Sequence, residues 1–160
     1  MKTLIICVSV SHGNTRRVAD RMAEVLSAEV VDPEAVDIDQ ITQYDLVGFG
    51  SGVYFMSAHP RLWRLVRRLP HVDGTPAFTL FTSGAAEVPL VGYSRPIRWG
   101  IARKGFRLLS SYSCRGLDTV GPLGWIGGVN KGRPSERDLE AAAAFATRVR
   151  NRIQPSAATS

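Results

Sequence analysis

The segment Ser9-Val10-Ser11-His12-Gly13-Asn14-Thr15 gathers hydroxyl and amide groups around one glycine, directly after the apolar run Leu4 to Val8. A helical pattern begins at Thr15. A strand that turns at a glycine into a helix points several unpaired backbone N–H groups at one spot, and that spot lies at the positive end of the helix dipole. Such a spot suits a dianionic phosphate, with no lysine required. The hydroxyls of Ser9, Ser11 and Thr15 and the amide of Asn14 add bonds, His12 adjoins the turn, and Gly13 allows close approach to the backbone. Ordinary helix capping uses the same residue types, but it needs only one of them.

A second segment is Tyr44-Asp45-Leu46-Val47-Gly48-Phe49-Gly50-Ser51-Gly52-Val53-Tyr54-Phe55. Its glycines alternate and position 53 is valine, so it is not a dinucleotide fingerprint. Alternating glycines thin the end of a strand. With Tyr54 and Phe55 following, the stretch from Ser51 through Gly52 and Val53 can admit a flat aromatic ligand and stack a ring on it; the aromatics alone would serve equally as core filling.

Cys114, followed by Arg115, is the one candidate for a catalytic side chain. It is either a small apolar plug beside a ligand or an accessible thiol favoured by nearby positive charge. The plug is preferred, because no histidine or second cysteine stands close in sequence to activate it. Two cysteines and three histidines offer no disulfide framework and no zinc spacing, so no metal site is expected. The glycine-rich stretch from Cys114 to Arg133 is long for a plain connection. It contains Trp125, Ile126, Asp118 and Lys131 and is expected to shape access to the ligand.

Positioning these groups falls to an alternation of apolar runs and amphipathic stretches, the pattern of a parallel sheet covered by helices on both faces. Strands are expected at 3–8, 29–31, 45–51, 76–82 and 106–112. Val18, Met22, Val25 and Leu26 recur at helical spacing, as do Leu62, Leu65, Val66 and Leu69. The last helix starts near Pro134-Ser135-Glu136 and carries Leu139, Ala142, Ala146, Val149 and Ile153 on one side. Five such strands suit the doubly wound order 2-1-3-4-5, whose ligands bind beyond the carboxyl ends at the switch between the first and third strands. At 160 residues the chain fits one domain, 1–153, with a flexible tail at 154–160. No run of about 18 apolar residues occurs, so neither a membrane span nor a signal peptide is expected and the protein is read as cytoplasmic.

With these residues in hand, the chain resembles the flavodoxin family from Met1 to about Arg152. Gly13-Asn14-Thr15 matches the end of the family's phosphate loop, Ser51 to Phe55 its second flavin loop, and Thr82-Ser83-Gly84-Ala85 the position of the third. It is most similar to short flavodoxin-like proteins that pair a Gly-Ser-Gly-aliphatic-Tyr-Phe loop with two late segments. Cys114-Arg115-Gly116 and Gly127-Gly128-Val129-Asn130-Lys131-Gly132-Arg133-Pro134 reproduce those segments. The resemblance implies a flavodoxin-like three-layer α/β sandwich that binds FMN. Ser9, Ser11, His12, Gly13, Asn14 and Thr15 would hold the phosphate end; Ser51, Gly52, Val53, Tyr54, Phe55, Thr82, Ser83 and Gly84 would surround the ring. Where the family's classical loop has a hydroxyl three positions before the glycine, this chain has Val10, and the phosphate contact falls to Ser9 or Ser11.

The implied function is electron transport by a flavoprotein to a redox partner. The alternatives are an FMN-dependent oxidoreductase acting on a quinone or other small acceptor, including protoporphyrinogen oxidase-like activity, and a flavin-responsive interaction module. Flavodoxins are typically acidic, whereas this chain carries a net charge of +6. Arg61, Arg64 and Arg68 recur on one helical face, which suggests a partner with an acidic docking surface. Nucleic acid is not expected, for no aromatic platform or binding motif accompanies the basic residues.

Overall fold

The computed structural model describes residues 1–10, 13–54, 57–83, 92, 94–115 and 134–154. Thr3–Val8 form β1, a strand whose six residues are all buried, as a continuous apolar run at the centre of a sheet must be. It pairs in parallel with β2 (Glu29–Val31) on one side and β3 (Leu46–Tyr54) on the other. β3 pairs in parallel with β5 (Pro76–Ser83), and β5 with β6 (Arg107–Arg115). The two-residue strand β4 (Ser57–Ala58) folds back antiparallel on the end of β3. The sheet order is therefore β2-β1-β3-β5-β6, which is the expected doubly wound order with a short hairpin strand added.

Helices cover both faces. α1 (Asn14–Leu26) and α4 (Glu136–Ile153) pack on one side around Ile5, Cys7, Phe78 and Leu80. α2 (Pro60–Arg68) and α3 (Arg95–Arg103) pack on the other around Ile6, Val8, Phe49 and Phe81. Leu62, Leu65, Val66 and Leu69 are buried as their spacing requires. On α4 the buried set is Ala142, Phe145, Ala146 and Val149, while Leu139 and Ile153 pack at its margin. The helix ends at Ile153; residues 155–160 of the expected tail lie outside the described residues.

Two glycines of β3 have a role different from the expected thinning of a ligand site. Gly48 stands opposite Phe78, and a Cβ on Gly48 would come within 2.5 Å of that ring. Gly50 stands opposite Leu80 at 3.0 Å in the same sense. Both make room for core side chains of β5, so the alternation records packing. Among the described residues no helix is long and apolar enough to cross a membrane, and no three His, Cys, Asp or Glu side chains are grouped to hold a metal.

Candidate functional site

The carboxyl ends of β1, β3, β5 and β6 lie side by side, as the parallel pairing dictates, and bring most of the expected site residues to one edge of the sheet. Ser9 follows β1 directly. Its Oγ is buried with no hydrogen-bond partner among the described residues, a state that costs a polar atom about 1–3 kcal/mol unless something else bonds it. Val10 is exposed, and Ser11 and His12 lie outside the described residues.

Gly13 opens α1 with φ +65°, the left-handed region that L side chains rarely adopt, and a Cβ there would stand in open space. The helix thus begins with no side-chain cap and no acidic residue in its first turn. Its positive end meets no compensating charge from that turn. Asn14 and Thr15 are buried behind Gly13. The Thr15 and Thr82 hydroxyl oxygens lie 2.7 Å apart in a buried hydrogen bond, joining the start of α1 to the end of β5. Sequence reading placed both residues at the site; their bond spans 67 positions and left no local signal.

The second expected loop is corrected. β3 continues through Tyr54, so Ser51, Gly52, Val53 and Tyr54 belong to a strand, held there because Val53 and Tyr54 pair with Ala58 and Ser57 of β4. Ser51 is fully buried; its hydroxyl donates to the Gly52 carbonyl at 2.6 Å and accepts the His59 N–H at 2.9 Å. The single hydroxyl proton is thereby spent within its own strand, while the accepted His59 N–H ties that strand to the residue after β4. His59 in turn caps α2, its Nδ1 accepting the Arg61 N–H at 3.1 Å. Burial, then the charges of Arg61 and Arg64, hold the imidazole below its ordinary pKa, which preserves the neutral ring that this cap requires. His59 was missed in the sequence, although a polar residue before Pro60 at a helix start is a capping signal. Phe55 and Gly84 lie outside the described residues.

At the end of β5, Thr82 and Ser83 are buried and stand opposite Cys114 and Arg115 of β6. Cys114 is one residue inside the strand's end, because β6 runs three residues past the expected 112. It is partly buried and packs against the α1/α4 side of the core. Tyr112, two residues before it, donates its hydroxyl to the Asp138 carbonyl at 2.8 Å, and burial raises its pKa. Cys7 is buried in β1, and desolvation pushes its thiol up to about 12. Most of the glycine-rich stretch, 116–133, with Asp118, Trp125, Ile126 and Lys131, lies outside the described residues.

The arginine stripe is also corrected. Arg61 lies against the start of the β2 connection, where its guanidinium pairs with both carboxylate oxygens of Glu34 and reaches Asp32 at 3.6 Å. The pair holds the Glu34 carboxyl down to about 2. Arg64, Arg67 and Arg68 form the exposed face instead.

Residues 5–89 match the family model of the flavodoxin domain. An uncharacterized protein of Methanocaldococcus jannaschii is 34% identical over 146 residues, covering 91% of this chain and 96% of the relative. Among solved structures, flavodoxin 2 of Bacillus cereus in its oxidised form superposes with a TM-score of 0.71 at 18% identity, over 95% of this chain and 99% of that one. A flavodoxin from Streptococcus pneumoniae TIGR4 gives 0.72 at 15% identity, with the same coverage.

Proposed function

Because the chain belongs to the flavodoxin-domain family, we propose that it binds FMN at the carboxyl edge of its sheet and delivers electrons to a partner protein. The observation that carries the reading is the Ser9 hydroxyl, buried and without a hydrogen-bond partner among the described residues, within a few residues of an α1 start that has neither side-chain cap nor first-turn carboxylate. Those features fit a phosphate: an oxyanion would satisfy the orphaned hydroxyl and the positive helix end together. Gly13 leaves the space in front of the helix clear. Thr15 is held in place by Thr82, and the β3 end beside it is fixed by the Ser51 and His59 bonds.

When bound, FMN supplies the redox chemistry. The chain's own residues bind and orient it, and the buried strand ends keep water from one side of the site. The closing experiment is calorimetry with FMN and riboflavin. Charge-assisted bonds contribute about 1.5–3 kcal/mol each, so riboflavin is expected to bind several kcal/mol more weakly. Equal affinities would overturn the site assignment. Turnover of a quinone with NAD(P)H by the isolated, FMN-loaded protein would overturn the carrier role in favour of an enzyme.

A further inference from the structure

The two helical layers differ sharply in charge. α2 and α3 together carry seven arginines and no carboxylate. On α1 and α4, by contrast, Asp20, Glu24, Glu136, Asp138 and Glu140 intersperse the arginines. α2 and α3 are also joined to each other. Trp63 of α2 packs across Gly100 of α3, where even a Cβ would lie 3.1 Å from the ring. Lys104, just after α3, donates its Nζ to the carbonyls of Arg67 and Leu69 at 2.8 and 2.7 Å and so ties the two helix ends together. On this plate Trp99 is 63% exposed, with the Arg103 guanidinium 4.5 Å from its ring centroid. Arg98 adds a sheltered Nε with no hydrogen-bond partner among the described residues.

We propose that the outer face of α2 and α3, centred on Trp99 and flanked by Arg64, Arg67, Arg68, Arg95 and Arg103, docks a carboxylate-rich surface of a partner protein. The proposal rests on the carrier reading only in taking the partner to be a protein. Tryptophan and arginine are the residue types that most often anchor protein interfaces, and a rigid guanidinium pairs two-pronged with a carboxylate. A lipid surface fits less well. Membrane-lying helices present an apolar face, whereas Leu62, Leu65, Val66, Ile97 and Ile101 are turned into the core and Trp99 is the one large apolar side chain exposed on the described part of these helices. Bases offer no match either, since a single exposed ring makes no stacking platform.

The test is the anisotropy of fluorescently labelled poly-L-glutamate titrated with the full chain, beside vesicles of phosphatidylglycerol and a short DNA duplex. R64E/R68E and, separately, R95E/R103E are expected to weaken polyglutamate binding roughly tenfold or more, whereas R137E/R148E on α4, an equal charge change, leaves it within about twofold. Trp99→Ala is expected to weaken it severalfold at unchanged charge. Equal losses from the α4 control, or no loss from Trp99→Ala, would overturn the proposal. Tighter binding of vesicles or duplex than of polyglutamate would do so too, and would assign the face to lipid or nucleic acid. FMN affinity is measured on the same samples. Face-specific polyglutamate binding without FMN binding sinks the carrier reading alone, and FMN binding with face-independent polyglutamate binding sinks this proposal alone.

Discussion

Helices α1 and α4 pack against each other on one face of the sheet, yet they begin in opposite ways. α4 starts with a complete capping box: the Ser135 hydroxyl accepts the Asp138 N–H, the Asp138 carboxylate accepts the Ser135 N–H at 2.8 Å, and Glu136 adds a further negative charge. Its end groups and its dipole are answered from within the chain. α1 starts at a left-handed glycine with no side chain to cap it, no acid in its first turn, and an orphaned serine hydroxyl close by in sequence. α3 likewise starts without a side-chain cap bond or a first-turn acid. What sets the start of α1 apart is the left-handed Gly13 together with the buried Ser9 hydroxyl, which has no partner among the described residues.

The sharpest way to break this contrast is Gly13→Val. A left-handed backbone costs a branched residue about 1–2 kcal/mol, and the side chain would fill the space now open before the helix. FMN affinity is expected to fall by roughly a hundredfold or more, as two charge-assisted bonds are lost. Calorimetry checks the affinity and thermal unfolding the stability; unchanged FMN binding would mean that α1 is no more a ligand site than α4.

Paired serine removals come next in size. Ser9→Ala is expected to weaken FMN binding by about 1.5–3 kcal/mol while leaving the flavin-free protein as stable or slightly more so, since the hydroxyl has nothing to lose. Ser135→Ala is expected to do the reverse, lowering stability by about 1 kcal/mol with FMN affinity intact. Identical profiles for the two variants would erase the distinction.

Arg16→Glu gives the first turn of α1 the acid that α4 already has. The dipole gain of about 0.3–1 kcal/mol is offset by loss of the exposed Arg16–Asp20 pair, so melting temperature should hardly move. FMN should bind severalfold more weakly, with the difference shrinking as salt is added. A variant that binds FMN as tightly as the parent would show that the phosphate does not sense that turn.

The smallest effect extends the comparison to the strands that precede the two helices, β1 with Cys7 and β6 with Cys114. Cys114, partly exposed, should react with a thiol reagent well before buried Cys7. The Cys7 thiol is raised in the folded state, so its contribution to stability is complete below the free-thiol value of 9.0 and is lost as pH rises toward about 12. Cys7→Ala should therefore flatten the alkaline loss of stability, and Cys114→Ser should keep FMN bound. An abolished electron transfer in Cys114→Ser with flavin retained would make that thiol a participant in the chemistry.

The strands most legible in the sequence were those buried on both faces, because an unbroken apolar run such as Leu4 to Val8 has few other uses. The carboxyl ends of β3 and β6 were read short, at 51 and 112, since Gly52 and Ser113 look like turn residues until β5 pairs with them through Thr82 and Phe81. β4 has only two residues and carries no pattern of its own. α3 shows only Ile97 and Ile101 as a buried stripe, too little to stand out from its arginines. At the site, residue types that bind phosphate were visible directly. What was not visible is which polar groups are already spent: Ser51 on its own hairpin, Arg61 on Glu34, Thr15 on Thr82. Each of these depends on a partner that the fold alone brings near.

The Thr15–Thr82 bond has a direction. Each hydroxyl owns one proton, and across 2.7 Å only one of the two can donate. If Thr15 turns its proton outward to a ligand oxygen, Thr82 must supply the proton between them; if Thr15 points inward, Thr82 is released to donate elsewhere. The pair is thus a two-position proton pointer, set at the head of α1 and read at the tip of β5.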